Sequence, residues 1–303
     1  MAGRLSIEGL RYAATVREAG SFSAAARAHG VTQPALSNGI ATLEEYLGDR
    51  LFTRSPRGVA PTPFGLMMLP LVQRAVDALD AIASEATRWK RPSGETVRVG
   101  VSPLIDAALV AKTYSAVRAL PAVTDPWQLV LQEANLAELR DQLSAGELDL
   151  IVVPSVGPMP RFEHRVIDAD RLVLVEAPSG GTGREQDGSA TLAELAGKQL
   201  ILMPDTCGLT AYTRDLLSDR ELPVRTYPGE ASSYRVLEEW SGLGLGSAML
   251  PAAKVTDPDS VSRTMLDEDG EVVEIFYEAV WNPDSGIAPE LQKVAESIDQ
   301  PTS

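Results

Sequence analysis

The polar segment that follows Val31 carries side chains able to form hydrogen bonds with the edges of DNA bases. Gln33 has the amide donor and acceptor that match adenine N6 and N7, and Ser37 follows it one helical turn later. Pro34 and Ala35 offer small apolar surfaces that suit a thymine methyl group. The alternative is that Gln33 and Pro34 only start a helix and contact no base.

Helical patterns place this segment at the start of the third helix of the chain. Thr32 is the predicted N-cap of that helix, Gly48 its end, and its apolar side chains fall on one face at positions Leu36, Ile40, Leu43 and Leu47. A short helix from Phe22 to Ala28 and a turn containing Gly30 precede it. This arrangement is typical of a helix-turn-helix unit, whose longer helix enters the major groove by its N-terminal turn. Asn38 then lies where it can contact a base, and Gly39 is expected to weaken the helix by about 1 kcal/mol relative to alanine.

The residues after Gly48 form the most basic stretch of the chain, and their pattern predicts a hairpin or wing. Two short extended pieces flank a Pro-Arg-Gly tip. The span Thr32–Leu47 contains no lysine or arginine, so contacts with DNA phosphates must come from other positions. The candidates are Arg27, Arg50, Arg54 and Arg57. So few cations predict weak binding by one copy, strengthened when two or four copies are linked.

A long helix predicted from about Pro63 to Arg88, capped by Thr62, carries an apolar seam with a heptad spacing. Its positions are Leu69, Val72, Val76, Leu79, Ala83 and Ala86. The spacing favours dimerisation through this helix. The alternative is a helix packed on its own domain.

Length and charge predict several domains, of which only the first can approach a polyanion. The 303 residues carry a net charge of −15, but residues 1–92 hold 11 Lys/Arg and 8 Asp/Glu, a net of +3, whereas residues 93–303 have a net of −18. One cysteine and two distant histidines argue against an internal disulfide and a zinc site. We expect no metal and no cofactor. We also expect no membrane association, because no apolar run of about 18 residues occurs. The residues after Met1 do not resemble a signal peptide, which predicts a cytoplasmic protein.

From Thr96 onwards, short apolar strands alternate with helices, which predicts an α/β domain with parallel strands. Two βα lobes fit the pattern better than one. We expect the chain to cross between them near Arg165–Asp170 and again near Ser262–Asp267.

These residues together resemble the LysR-type bacterial transcriptional regulators. The resemblance is carried by the motifs Gly20-Ser21-Phe22-Ser23-Ala24-Ala25-Ala26, Val31-Thr32-Gln33-Pro34-Ala35-Leu36-Ser37, Leu51-Phe52-Thr53-Arg54 and Thr62-Pro63-Phe64-Gly65, and more loosely by Gly146-Glu147-Leu148-Asp149-Leu150 and Gly242-Leu243-Gly244-Leu245-Gly246. Many members have arginine or histidine where this chain has Asn38. The resemblance adds Ser23 and Thr32 to the candidate DNA-binding residues.

The resemblance implies a fold, an assembly and a function. The fold is an N-terminal all-α winged helix-turn-helix (1–65) with a long linker and dimerisation helix (66–91), followed by a C-terminal α/β effector-binding domain (92–303) like periplasmic solute-binding proteins. We assign lobe I to about 95–165 and 267–303, and lobe II to about 166–266. The implied protein is a homotetramer that binds and bends double-stranded promoter DNA, with RNA polymerase as a further partner if it activates transcription.

The predicted carboxyl ends of the strands carry small polar groups that suit a ligand. Ligands of open α/β sheets bind at these ends, and helix N-termini attract anions, so a small anionic metabolite is the expected effector. Capping of helices is the alternative role for Ser102 and Asn135, and the charge of Asp205 would oppose an anion unless it faces away. The candidate effector-binding residues are Ser102, Pro103, Asn135, Pro154, Ser155, Asp205, Thr206, Cys207 and Gly208.

A redox role for Cys207 and two other function classes are alternatives to a ligand-responsive regulator. A peroxide-sensing branch of the family places its reactive cysteine in this segment, but this chain has no second cysteine to resolve a sulfenic acid. Cys207 is alternatively a small residue lining the effector site or an inert core thiol. An enzyme is disfavoured because no Gly-x-Ser-x-Gly occurs and the glycines from Gly242 to Gly246 precede a strand. A pure solute-binding protein is disfavoured by the helix-turn-helix.

Overall fold

The computed structural model describes residues 5–55, 58–89, 96–121, 126–177 and 188–299. The chain divides into two compact units, Met1–Ala86 and Thr87–Ser303, which are described separately. The tip residues Pro56 and Arg57, the linker from Lys90, and the glycine-rich stretch after Ser179 lie outside the described residues.

The N-terminal unit contains the three predicted helices, a two-stranded hairpin and a long helix. Side-chain oxygens of Ser6, Ser21 and Thr32 accept hydrogen bonds from backbone N–H groups in the first turns of the three helices. Gly48 ends the third helix with a φ of 91°, a left-handed conformation that favours glycine. The elements are α1 (Ile7–Ala19), α2 (Phe22–Ala28), α3 (Gln33–Leu47), β1 (Phe52–Ser55), β2 (Gly58–Pro61) and α4 (Pro63–Trp89).

Helices α1 and α3 approach each other closely at two glycines. A Cβ built on Gly39 would lie 2.8 Å from Cδ2 of Tyr12, and one built on Gly9 would lie 3.2 Å from the carbonyl oxygen of Gly39. Leu36, Ile40 and Leu43 of α3 are buried in the same core. The packing therefore gives Gly39 a structural role that offsets its low helix propensity.

Helix α4 packs on its own unit, which corrects the prediction for its apolar seam. Leu69, Val72 and Val76 are at most 4% exposed and belong to the core that α1 and α3 form. The three short helices leave an apolar surface that one face of α4 covers, so these residues are not free to contact a second chain. Further along the helix, Leu79 is half-buried and Ala83 is exposed.

The opposite face of α4 is apolar and exposed. Leu66, Met67, Leu71 and Ile82 expose between 44% and 68% of their surface. Near the middle of the helix, Arg11 of α1 forms an ion pair with Asp80 at 2.5 Å. The amphipathic pattern of α4 thus continues around the helix, with the second apolar face left without a partner within the described part of the chain.

The C-terminal unit is built on a mixed sheet rather than a purely parallel one. In the first part of this sheet the order is β4-β3-β5-β12-β6, with β3 parallel to β4 and β5, and β12 antiparallel to β5 and β6. The elements are β3 (Thr96–Val101), α5 (Ala107–Arg118), β4 (Gln128–Glu133), α6 (Leu136–Ser144), β5 (Leu150–Pro154), β6 (Glu163–Glu176), β7 (Ser189–Thr191), α7 (Leu192–Gly197), β8 (Gln199–Leu202), α8 (Gly208–Ser218), β9 (Arg225–Glu230), α9 (Tyr234–Gly242), β10 (Ala248–Pro251), a 3₁₀ turn (Ala252–Lys254), β11 (Val261–Leu266), β12 (Glu274–Trp281) and α10 (Ala288–Asp299).

Strand β6 belongs to both lobes. Its residues up to Arg171 pair with β12, and those from Leu172 pair with β10 and β11. The first crossing therefore lies at Arg171–Leu172, after the predicted segment and after the lobe boundary placed at residue 165. The second predicted crossing, Ser262–Asp267, is mostly a strand of lobe II, and the chain returns to lobe I between β11 and β12.

Candidate functional site

The first turn of α3 presents the predicted base-contacting side chains to solvent. Gln33, Pro34, Ala35 and Asn38 are exposed. Nε2 of Gln33 donates a hydrogen bond to Oγ of Ser37 at 3.4 Å, so both side chains lie on one face of the helix. Because buried side chains hold the opposite face of α3, this polar face is oriented outward with little freedom to turn.

The capping residue Thr32 and the α2 residues flank this face. Thr32 is exposed, and its Oγ1 accepts a hydrogen bond from the backbone N–H of Ala35 at 3.4 Å. Ser23 and Arg27 of α2 are also exposed. The structure therefore places the predicted α2 and α3 residues on surface positions of one helix-turn-helix unit.

Two half-buried hydrogen bonds that sequence patterns did not predict hold the loop before the hairpin against α3. Oε1 of Glu44 accepts hydrogen bonds from the backbone N–H groups of Leu51 and Phe52, at 2.7 and 3.3 Å. Thr62 adds a hydrogen bond to the carbonyl oxygen of Arg50 at 2.5 Å. A cavity of about 920 Å³ lies between α3 and this loop and hairpin.

The structure describes the side chain of only some of the arginines that we predict to contact phosphates. Arg50 is exposed next to Asp49, whose Oδ1 accepts a hydrogen bond from the Arg50 backbone N–H at 2.7 Å. The backbone of Arg54 lies in β1, paired with Val59, while its side chain lies outside the description, as does Arg57. The hairpin itself confirms the expected wing.

Ser102 lies buried where β3 and β5 end side by side. Its backbone N–H donates to the carbonyl oxygen of Val152 at 3.0 Å, and its Oγ accepts from the backbone N–H of Leu104 at 3.3 Å. The side chain is 4% exposed, and Pro103 beside it is half-buried. The hydroxyl oxygen of Ser102 therefore stabilises the loop that follows β3 by accepting a hydrogen bond. The hydroxyl proton has no acceptor in the described part of the chain.

The next two candidates in lobe I have contacts within their own lobe. Oδ1 of Asn135 accepts from the backbone N–H of Glu138 at 3.0 Å, which makes Asn135 the N-cap of α6. Oγ of Ser155 donates to Oε2 of Glu278 at 3.3 Å, and the same oxygen lies 2.9 Å from Nδ1 of His164. Capping accounts for the Asn135 side chain, and Ser155 is directed towards a buried carboxylate.

The start of α8 brings lobe II against lobe I. Gly208 is buried, and a Cβ built there would lie 2.7 Å from Cγ of Pro154. Only a residue without a side chain fits this approach, so Gly208 and Pro154 form a lobe-to-lobe contact. Asp205 and Thr206 are exposed before the helix. Asp205 is 82% exposed and lies 3.3 Å from a guanidinium nitrogen of Arg214.

Cys207 is the N-cap residue of α8 and makes no side-chain capping hydrogen bond. Its Sγ lies 3.2 Å from the hydroxyl of Tyr234 and 3.9 Å from Sδ of Met203. Burial, with a further contribution from Cys207, raises the pKa of Tyr234 well above its usual range. The phenol is therefore neutral and can donate its proton to the sulfur.

Sequence patterns missed one cation at the contact between the lobes. Nζ of Lys254, in the turn after β10, donates to the carbonyl oxygen of Ile105 at 3.0 Å and lies 5.6 Å from the ring centroid of Tyr234. Burial lowers the pKa of Lys254, and the nearby carboxylates of Asp106, Glu133 and Asp170 oppose that effect. A lysine in the turn after a strand carries no signal in the sequence, because the carbonyl group that it contacts lies about 150 residues earlier.

The described residues contain no group of three or more His, Cys, Asp or Glu side chains placed to hold a metal ion. The same residues contain no helix that is both long and apolar enough to span a membrane.

Comparisons with known proteins match both units. Residues 7–66 match the model of the bacterial regulatory helix-turn-helix proteins of the lysR family, and residues 90–300 match the LysR substrate binding domain. The chain is 30% identical over 258 residues to the HTH-type transcriptional regulator IlvR of Caulobacter vibrioides, covering 82% of this chain and 83% of that protein. It is 29% identical over 270 residues to a probable hydrogen peroxide-inducible genes activator of Streptomyces viridosporus, covering 86% and 82%.

The fold also matches that of solved structures. A hydrogen-peroxide-bound cysteine-to-serine mutant of OxyR from Corynebacterium glutamicum superposes with a TM-score of 0.56. The alignment has 23% sequence identity and covers 98% of this chain and 94% of that one.

Proposed function

This chain belongs to the LysR family of transcriptional regulators, with a DNA-binding helix-turn-helix and an effector-binding domain, and we propose which residues carry each activity. The exposed face of α3 contacts base edges in the major groove, and a small molecule held between the C-terminal lobes changes the response at the promoter. The observation that carries the proposal is the outward-facing pair Gln33 and Ser37, joined by a hydrogen bond on the first turn of α3.

On the proposed DNA surface, Gln33 pairs with adenine and Ser37 contacts a base edge or a phosphate. Asn38 takes the position where many family members have a cation, and Pro34 and Ala35 contact a thymine methyl group. Ser23 and the exposed cap Thr32 lie next to the phosphate backbone. Because α3 has no cation, these contacts supply specificity and the arginines elsewhere supply the salt-dependent affinity.

The proposed phosphate contacts come from Arg27 of α2, from Arg50 before the hairpin and from Arg54 and Arg57 of the wing. Each phosphate neutralised contributes about −0.9 to the slope of the logarithm of affinity against the logarithm of salt. Four arginines per copy give modest affinity, so linked copies are needed for tight binding.

The proposed effector site lies between the lobes, beside Ser102, Pro103, Pro154, Cys207 and Gly208. The contact between Gly208 and Pro154 and the hydrogen bond from Lys254 to lobe I support this placement, because a ligand there can favour one angle between the lobes. Asp205 pairs with Arg214 and is mostly exposed, so its charge does not oppose an anion inside the site. The proposed site also includes Asn135, Ser155 and Thr206, of which Asn135 caps α6 and Ser155 donates to Glu278.

We further propose the domain limits and the assembly. The helix-turn-helix spans 1–65, the linker helix 66–91 and the effector-binding domain 92–303. Self-association as a dimer or tetramer uses two exposed apolar surfaces, the outer face of α4 at Leu71 and Ile82 and the edge strand β4 at Val130 and Leu131. RNA polymerase is a partner if the protein activates transcription. Because promoter DNA lies in the bacterial cytoplasm, the protein acts there, by binding rather than by catalysis.

A second candidate function is redox sensing through Cys207. It is favoured by the position of Cys207 at the N-terminus of α8 and by the names of two of the matched proteins, which concern hydrogen peroxide. Against it, the chain has one cysteine, so a sulfenic acid has no second thiol within the chain to form a disulfide. Ligand binding is therefore the better supported response.

A mobility shift assay tests the proposal. The full-length protein is titrated into a duplex carrying the promoter of its own gene and into an unrelated duplex of equal length. We expect at least about tenfold tighter binding to the promoter, in line with the preference of specific DNA-binding proteins. Equal affinity for both duplexes at physiological salt would contradict sequence-specific DNA binding there.

A further inference from the structure

The contact between the lobes holds charged and phenolic side chains that come from six different elements or loops. Tyr277 of β12 is 5% exposed and Tyr234 at the start of α9 is 9% exposed. The lysine, Lys254, is joined to lobe I through Ile105. We call this set the junction cluster; its members are Asp106, Glu133, Asp170, Tyr234, Lys254 and Tyr277.

The junction cluster has more negative than positive charge. Lys254 is its one ammonium group, and three carboxylates lie within electrostatic reach of it. Asp170 lies close to the turn that contains Lys254. The backbone N–H of Ala253, the residue before Lys254, donates to Oδ2 of Asp170 at 2.9 Å. The excess of carboxylates repels a simple anion but accommodates a ligand that brings its own cationic group.

Two residues at this place, Tyr277 and Ser102, have hydroxyl groups with unused hydrogen-bonding capacity. Ser102 is linked to Lys254 through Ile105, whose backbone N–H donates to the Ser102 carbonyl oxygen at 2.9 Å and whose carbonyl oxygen accepts from Lys254. The hydroxyl of Tyr277 has no hydrogen-bond partner in the described part of the chain, although the residue is buried. Burial raises the pKa of Tyr277, and the carboxylates of Asp170, Asp106 and Asp168 raise it further, which places this hydroxyl among the acids and keeps it protonated. The hydroxyl proton of Ser102 is likewise without an acceptor among the described residues. The Tyr277 hydroxyl oxygen keeps contact with solvent although most of the residue is buried. The Tyr277 and Ser102 hydroxyls therefore each have a proton to donate to a bound carboxylate.

Glu133 is the carboxylate best placed for a cationic ligand group. It ends β4, is exposed, and forms no ion pair or hydrogen bond through its side chain with any described residue. By contrast, the carboxylate of Asp106 caps α5 by accepting from the N–H of Leu109 at 2.7 Å. Glu133 is also within electrostatic reach of Tyr234 and Lys254. It therefore has the freedom to bind an ammonium group.

We propose that the junction cluster binds a zwitterionic α-amino acid. Glu133 and the neighbouring carboxylates bind the ammonium group, and Lys254 with the hydroxyls of Ser102 and Tyr277 binds the carboxylate. This inference rests on the proposed effector site and replaces the simple anion expected there with a ligand that carries both charges.

The experiment compares three chemical classes on the full-length protein. Unfolding temperature is measured with each of the twenty standard L-amino acids, with the matched carboxylic acids that lack the amine, and with the matched amines that lack the carboxylate. We expect one or a few amino acids to raise the unfolding temperature, and neither matched class to do so. Stabilisation by a ligand that binds only the folded state is the physical basis of the readout.

Variants then locate the site. Calorimetric titration of the stabilising amino acid should show at least tenfold weaker binding to Glu133→Gln and to Tyr277→Phe. The control Glu147→Gln, an exposed glutamate elsewhere in lobe I, should bind as tightly as the parent. Tyr277→Phe keeps the buried ring, so it removes only the hydroxyl.

Three outcomes would overturn the inference. A matched carboxylic acid that stabilises as strongly as the amino acid would show that the ammonium group is not recognised, while leaving an effector site in place. Absence of any stabilisation by the amino acids, or equal binding to both variants and the parent, would also overturn it. The mobility shift assay needs no added ligand, so failure of the proposed DNA-binding function would be detected separately.

Discussion

The ring of Tyr12 lies directly over the backbone of Gly39, so that a Cβ at position 39 would lie 2.8 Å from Tyr12 Cδ2. This contact sets the distance between α1 and α3. Tyr12 also packs edge-on against His29, with ring centroids 5.0 Å apart, which restricts how far its ring can move. The orientation of α3, the helix that we propose contacts DNA bases, therefore depends on the absence of a side chain at position 39.

Gly39→Ala should destabilise the protein by about 1–3 kcal/mol because of overpacking, although alanine favours an exposed helix by about 1 kcal/mol. Urea denaturation of the parent and the variant measures the change. Adding Tyr12→Ala removes the ring that alanine would meet, so in the double variant alanine at position 39 should cost little or nothing. Gly39→Ala that is more stable than the parent would contradict the close packing.

The exposed face of α4 is predicted to hold subunits together. Leu71→Asp combined with Ile82→Asp should lower the molar mass measured by light scattering, because charges would be buried without partners in the interface. The unfolding transition of the N-terminal unit should change little, since both side chains are exposed.

Val76→Asp provides the matched comparison on the buried face of α4. Because Val76 is 4% exposed within its own unit, the substitution should unfold or strongly destabilise the chain. An unchanged molar mass for the Leu71 and Ile82 double variant would contradict the assignment of the outer face.

Local signals in the sequence predicted the helix-turn-helix well. Caps such as Ser21 and Thr32 and the left-handed Gly48 act within one turn of the helix they delimit, so a few neighbouring residues specify each boundary. The heptad seam of α4 could not be assigned, because apolar spacing shows that a face is buried but not which surface covers it. The structure shows that the same chain covers the first part of this face, at Leu69, Val72 and Val76.

Long-range pairing explains what sequence patterns missed in the C-terminal unit. Strand β6 changes sheets at Arg171–Leu172 because β12, β10 and β11 pair with its two halves from much later in the chain. The contact of Lys254 with Ile105 and the approach of Gly208 to Pro154 depend on the same tertiary arrangement. Strand ends predicted Ser102 and Pro154, whereas Tyr277 and Lys254 gave no local signal.

Glu238 should make stability depend on acidic pH. Burial raises the pKa of this carboxyl, but hydrogen bonds from Ser260, Thr256 and Asp257 outweigh burial, and the folded-state pKa lies below the usual 4.5. A lowered folded pKa stabilises the protein above pH 4.5, and that stability is lost as pH falls through the folded value. Unfolding temperature measured from pH 7 to pH 3 should therefore fall less in Glu238→Gln than in the parent. Parallel pH profiles would contradict this.

Cys207→Ser should leave the response to peroxide unchanged if the protein senses a ligand. A reporter gene under the target promoter is measured for the parent and the variant, with and without added hydrogen peroxide. Because the variant alters one wall of the proposed effector site, a modest change in ligand affinity is expected. A peroxide response that is present in the parent and absent in Cys207→Ser would establish redox sensing instead.

We propose that the first turn of α3 distinguishes DNA bases, and base-resolved binding of Gln33→Ala tests this most directly. Mobility shift titrations are performed on the promoter duplex and on duplexes with each base pair of the site substituted in turn. The parent should lose about 1–3 kcal/mol at the base pair that Gln33 contacts, and Gln33→Ala should lose the preference at that base pair while retaining the others. A variant whose preference at every base pair matches that of the parent would contradict the claim.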